Sequence, residues 1–117
     1  MKNIVTIEDA QRSVKEFTRK NKWKDVPNID KFDHLHEELI EMSRLIRYKT
    51  EKERIRALKE HKDEFVDGIG DLFFALCRLA NQLDVDITIA FSLAAKEIIN
   101  KYKGRRTEYK NVSDKAR

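Results

Sequence analysis

One proline and three glycines are all that this 117-residue chain holds of the two residue types that best build tight turns. A sandwich, a barrel or a nucleotide-binding α/β fold needs many such positions, glycine for left-handed backbone and proline for its preset φ. Their scarcity, beside a charged fraction of 39%, points to an all-α fold. The hydrophobic fraction of 40% supplies one core and not two, so a single compact domain is expected.

Apolar spacing and boundary residues mark four helical segments. The first runs from about Thr6 to Asn21, with Thr6 as N-cap, Asp9 completing a capping box, and Ile7, Ala10, Val14 and Phe17 facing inward. A loop around Pro27 follows Trp23. The second helix spans about Asp30 to Tyr48, where Phe32, Leu35, Leu39, Met42 and Ile46 form one apolar stripe. The charged stretch from Lys49 to Lys62 reads equally as a loop, a short helix or the projecting start of the next one. A third helix, about Asp63 to Leu83, is apolar around much of its circumference through Phe65, Ile69, Leu72, Phe73, Leu76 and Leu79, which makes it the central one. Asp84 or Asp86 starts the fourth, which ends near Lys103 with Gly104 as its stop. The domain is thus expected over residues 1–104, with a polar, basic tail at 105–117.

No apolar run is long enough to cross a bilayer and the first residues lack the apolar core of a signal peptide, so a cytoplasmic protein without a membrane partner is expected. The lone Cys77 sits in an apolar helical stretch and reads as a core residue. The net charge of +4, with much of its excess after Tyr102, is a weak signal for nucleic acid. Runs such as Glu51-Lys52-Glu53-Arg54 read as solvated helix faces.

The acids carry more information. Glu38 and Glu41 stand three apart on one face of the second helix, with Glu37 beside Glu41. In the third helix Glu64, Asp67 and Asp71 follow at steps of three and four, again in one stripe. Like charges stacked in this way repel, so each stripe either faces water or neutralises itself with a cation. Asp67 and Asp71 interrupt the most apolar helix and flank Gly68 and Gly70, each about 1 kcal/mol less favourable than alanine in a helix. Such a glycine pair admits a ligand or another backbone at close range. Carboxylates without cysteine or a matching histidine form an oxygen-only site suited to Mg²⁺, with Mn²⁺ as a substitute, rather than zinc. A di-iron bundle needs Glu-x-x-His twice, and the residues three before His34, His36 and His61 are Lys31, Asp33 and Leu58.

The pattern Glu37-Glu38-x-x-Glu41, a gap of 22 residues, then Glu64-x-x-Asp67 resembles the acidic signature of the MazG-like all-α nucleoside triphosphate pyrophosphohydrolases. Phe17 to Trp23 resembles the first-helix end of the dCTP pyrophosphatase branch, and Lys96 to Lys101 its Lys-x-x-x-Asn-basic segment. The resemblance implies a helical bundle assembled as a homodimer or homotetramer. It also implies magnesium-dependent cleavage of a nucleoside triphosphate between its α- and β-phosphates, giving the monophosphate and pyrophosphate. On this reading Glu38, Glu41, Glu64, Asp67 and Asp71 hold metal, and Glu38, Glu41 and Glu64 also take part in catalysis. Glu37 supports them without touching the metal. Trp23 and Tyr48 stand where relatives place aromatic rings around the base, and Lys96, Asn100, Lys101 and Arg105 are available to the phosphates. The sequence departs from its relatives twice. Gly68 stands where many have the first acid of the second pair, leaving open whether Glu64 and Asp67 or Asp67 and Asp71 form it, and Val14 replaces a histidine. The competing readings are a phosphoribosyl-ATP pyrophosphohydrolase and a non-catalytic helical module that binds nucleic acid or protein.

Overall fold

The structure, a computed structural model, describes residues 3–4, 6–24 and 29–103. Pro27, Gly104 and the tail with Arg105 lie outside the described residues. Within them the chain is all-helical and contains no strand: α1 (Ile7–Lys20), α2 (Ile29–Ser43), α3 (Glu51–Glu60), α4 (Lys62–Gln82) and α5 (Ile87–Tyr102). The expected four helices are joined by a fifth, α3, in the stretch that the sequence left open.

Local chemistry explains where these helices begin. The Thr6 hydroxyl accepts from the Asp9 N–H at 3.0 Å while the Asp9 carboxylate accepts from the Thr6 N–H at 3.2 Å. Thr50 and Glu53 repeat this capping box at α3, with bonds of 3.0 and 3.2 Å. The Thr50 backbone N–H, then its hydroxyl, hold the Glu53 carboxyl below its ordinary pKa. Caps of this kind stabilise a helix by about 1 kcal/mol each. Asp86 caps α5 through the Ile89 N–H at 3.2 Å.

Two helices end on left-handed residues. After α1 the Trp23 N–H reaches the Thr18 carbonyl and the Lys22 N–H reaches that of Arg19, both at 3.0 Å, with Lys22 at φ 57°. After α4 the Val85 N–H reaches the Ala80 carbonyl at 2.9 Å, with Asp84 at φ 57°. These are Schellman endings built without glycine. The second helix is shorter than expected, stopping at Ser43 rather than Tyr48. The Ser43 hydroxyl donates to the Ile40 carbonyl, and the N–H groups of Leu45 and Ile46 bond carbonyls three residues back. Side-chain competition of this kind weakens the regular ladder, and the turn closes on Tyr48 at φ 64°.

Helix α4 is central, packed against α1, α2 and α3, whereas α5 packs chiefly on α1. The buried apolar residues are mostly small: Ala10, Val14, Ala57, Ala75, Cys77, Leu79 and Ala80. Burial raises the Cys77 thiol pKa, which keeps it protonated and unreactive. Phe74 lies against Phe17, ring centroids 5.9 Å apart. The stripe of α2 is only partly covered, since Phe32 and Leu39 are exposed while Leu35, Met42 and Ile46 are half-buried. Val66, Ile69, Phe73 and Leu76 on α4, and Ile89, Leu93, Ile98 and Ile99 on α5, are also exposed, and α5 buries no residue. Its anchorage is polar. The Gln11 amide of α1 donates to Asn81 Oδ1 at 3.0 Å and the Val85 carbonyl at 2.7 Å, and its oxygen accepts from the Ile87 N–H at 2.9 Å. Among the described residues no helix is long and apolar enough to cross a membrane.

A left-handed lysine is strained by about 1 kcal/mol relative to glycine. Lys22→Gly is therefore expected to raise the urea midpoint by an amount equivalent to roughly 0.5–1 kcal/mol, whereas Lys22→Ala leaves it unchanged. Equal midpoints for the two variants would show that the φ of Lys22 carries no strain.

Candidate active site between α2 and α4

Helices α2 and α4 meet in close contact at Gly68, which is buried. A Cβ placed there would meet Met42 Sδ at 2.5 Å and Met42 Cγ at 2.6 Å, far inside van der Waals contact. Gly68 is thus a notch that receives the Met42 side chain. This gives a physical reason for the absence of an acid at position 68, because a glutamate there would displace Met42 and force the helices apart. Gly70, by contrast, has nothing within 4 Å of its would-be Cβ. Only the first of the two glycines serves close approach within the chain.

Around the notch the acids converge. Glu38 and Glu41 from α2 and Glu64, Asp67 and Asp71 from α4 line one cavity of about 200 Å³, with Met42, Leu45 and Gly68 as its remaining walls. The steps of three and four seen in the sequence place both acid stripes toward the gap. All five candidate ligands are therefore neighbours of the same space, whichever pair on α4 is dominant. Glu37 is exposed and lies outside these walls.

No lysine or arginine lines the cavity among the described residues. Two histidines serve it instead. His34 Nε2 lies 3.2 Å from Glu38 Oε1, one turn earlier on α2, and His61 Nδ1 lies 2.7 Å from Glu64 Oε1, at the joint of α3 and α4. The sequence signal for both was their spacing, four residues in one case and three in the other. As they stand, no three acids, histidines or cysteines are grouped tightly enough to hold a metal ion among the described residues. The donor set nevertheless fits a hard divalent cation: oxygen only, five formal negative charges, and no competing cationic side chain. Gathering the ligands calls for Glu38 and Glu64 to turn from their histidines toward the gap.

The remaining sequence candidates lie elsewhere. Trp23 lines a separate cavity of about 420 Å³ with Arg12, Lys15, Glu16, Thr18 and Arg19, all on α1. Tyr48 is 92% exposed, with the Arg47 guanidinium carbon 5.3 Å from its ring centre. Lys96, Asn100 and Lys101 are exposed on α5 and do not reach the acid cavity within one chain. Sequence reasoning also missed the contact of Arg78 with Trp23, whose guanidinium carbon lies 4.8 Å from the ring centre.

The model of the MazG nucleotide pyrophosphohydrolase domain matches residues 31–109, more than half of the chain. The chain belongs to this family. The matched span begins in α2 and contains both acid stripes, while α1 and Trp23 precede it. Members of the MazG family act on nucleotides and generally depend on a divalent metal. None of the curated proteins matches the chain, and none of the solved structures does.

If the notch sets the spacing of the MazG acids, then filling it must loosen both fold and site. Gly68→Val is expected to cost about 1–3 kcal/mol by overpacking, measured by urea denaturation. Met42→Ala in the same chain should recover part of that loss. Two single-variant costs that simply add would show that positions 42 and 68 do not share the contact.

Proposed function

We propose that this chain is a magnesium-dependent nucleoside triphosphate pyrophosphohydrolase, converting a triphosphate and water into the monophosphate and pyrophosphate. The observation that carries the reading is the convergence of five carboxylates from two helices on one cavity, with no cationic side chain among them. In this reading Glu38, Glu41, Glu64, Asp67 and Asp71 hold the metal. When bound, it supplies the positive charge that offsets the charge developing on the phosphate oxygens. One carboxylate, Glu41 or Glu64, takes the proton of the attacking water, Glu64 doing so once it has turned from His61 toward the gap. The base rests on Trp23, and the Phe17-to-Trp23 resemblance makes dCTP the first substrate to try.

Pyrophosphate leaves more readily with cationic help. Lys96 and Lys101 are the source proposed here, with Asn100 as a neutral hydrogen-bond donor beside them, supplied to the acid cavity by a second copy of the chain, with Arg105 beyond them. Support comes from the exposed apolar stripes of α4 and α5, which a second copy would cover. Not all of the large apolar residues in the second half of α4 are left open by one chain. Phe74 is half-buried against Phe17 and Leu79 is only 7% exposed, whereas Phe73 and Leu76 remain open at 38% and 42%. Gly70 lies between Ile69 and Phe73 and leaves room for a partner helix.

Two measurements test this reading. With Mg²⁺ and a panel of triphosphates that includes dCTP and phosphoribosyl-ATP, the wild type should release monophosphate and pyrophosphate. Glu38→Gln and Glu41→Gln should each retain the helical spectrum and lose roughly a hundredfold or more in turnover; full turnover in either variant would remove the acid cavity from the reaction. Light scattering should give at least twice the 13.9 kDa chain mass, with Ile69→Glu shifting the protein toward monomer and lowering activity. A fully active 13.9 kDa species would show that one chain holds the whole site.

A further inference from the structure

Trp23 is held from three directions. The Schellman ending of α1 fixes its backbone, the Phe17 ring meets it edge-on at 5.2 Å and 80°, and the Arg78 guanidinium covers one face at 4.8 Å. The residue is still 44% exposed. Arg78 also reaches back to the chain beyond the ring, its Nη2 lying 3.5 Å from the Lys24 carbonyl. It is half-buried, its Nε is buried and makes no hydrogen bond, and no carboxylate pairs with it among the described residues. Holding an unpaired cation partly out of water is costly, so its fixed position against an indole calls for a physical reason.

We infer that Arg78 is a positioning residue for nucleotide binding, clamping Trp23 so that one indole face stays presented to the base. The inference rests on the proposed role of Trp23 as the base platform. A guanidinium placed over an aromatic face is attracted by the ring quadrupole and shields that face from water. A base then stacks on the opposite face, giving a three-layer arrangement of guanidinium, indole and base. The bond to the Lys24 carbonyl restrains the segment that follows the ring. Arg78 stands seven residues after Asp71 on the same stripe of α4, about 10.5 Å along the axis. One rigid helix therefore carries both the clamp behind the platform and the acids proposed to serve the phosphates. Lysine cannot substitute fully, because its ammonium is not planar and presents no flat surface to the ring.

Trp23 is the only tryptophan, so its emission reports on the platform directly. The test titrates the full-length protein with a non-hydrolysable α,β-imido analogue of the best substrate, following tryptophan emission, and measures KM and kcat with that substrate. Arg78→Met keeps an unbranched apolar stem and removes the cationic guanidinium; Arg78→Lys keeps the charge and removes the planar face. The expected result is quenching in the wild type and roughly three- to tenfold weaker binding in Arg78→Met. KM should rise in parallel, with kcat within twofold of wild type, and Arg78→Lys should fall between the two. Unchanged affinity and KM in a folded Arg78→Met variant, or in Arg78→Lys if the former does not fold, would overturn the role of Arg78 while the wild-type quenching still supported the platform. Wild-type emission that ignores the analogue while the substrate is hydrolysed would overturn the platform itself, and the clamp with it.

Discussion

The arrangement of the candidate site depends on one contact, the side chain of Met42 lodged in the notch at Gly68. Acids on two separate helices repel one another across the gap between them, and nothing in that repulsion draws the helices together. The attraction must come from apolar surface, and dispersion falls away steeply once a gap opens. The smallest residue therefore faces a long, adaptable one. The two acid stripes are carried to the rim of the same contact, so the packing of the helices and the placement of the acids depend on one pair of residues.

Much of this organisation is legible in the sequence, because helices announce themselves by period and by cap. The Thr6 box, a start at Asp84 or Asp86 that the structure places at Asp86, and the central position of the Phe65-to-Leu79 segment all follow from residue types at fixed steps. The acids follow by the same arithmetic, since a step of three or four on a helix is also a statement about direction. The start of α3 was equally readable, because Thr50 and Glu53 repeat the box of Thr6 and Asp9, but the surrounding charge masked it. The early end of α2 was harder to foresee. Apolar spacing continues through Ile46, and only the hydroxyl of Ser43, bonding its own backbone, hints at the break.

Contacts between distant parts of the chain left no such trace. Nothing in the spacing of Gly68 shows that a thioether fills its missing side chain, or that Gly70, two residues on, faces open space. Arg78 reads as one more basic residue until Trp23 is found beneath it. The resemblance likewise set Trp23, the acids and the α5 cations around one nucleotide. In a single chain they occupy three places, since each stands on a different helix or helix end and α5 leans on α1 rather than on α2.

The three bonds of the Gln11 amide bear on how the molecule comes apart. Helix α5 buries no residue of its own and leans on α1, so Gln11 fastens the last described helix to the first. Opening of one removes the support of the other, which makes the two a cooperative unit despite their distance along the chain. A fragment trimmed to the span matched by the family would begin after α1. Its final helix would then have lost its principal surface of attachment, and exchange of the α5 amides with solvent would report that loss before any change reached α4.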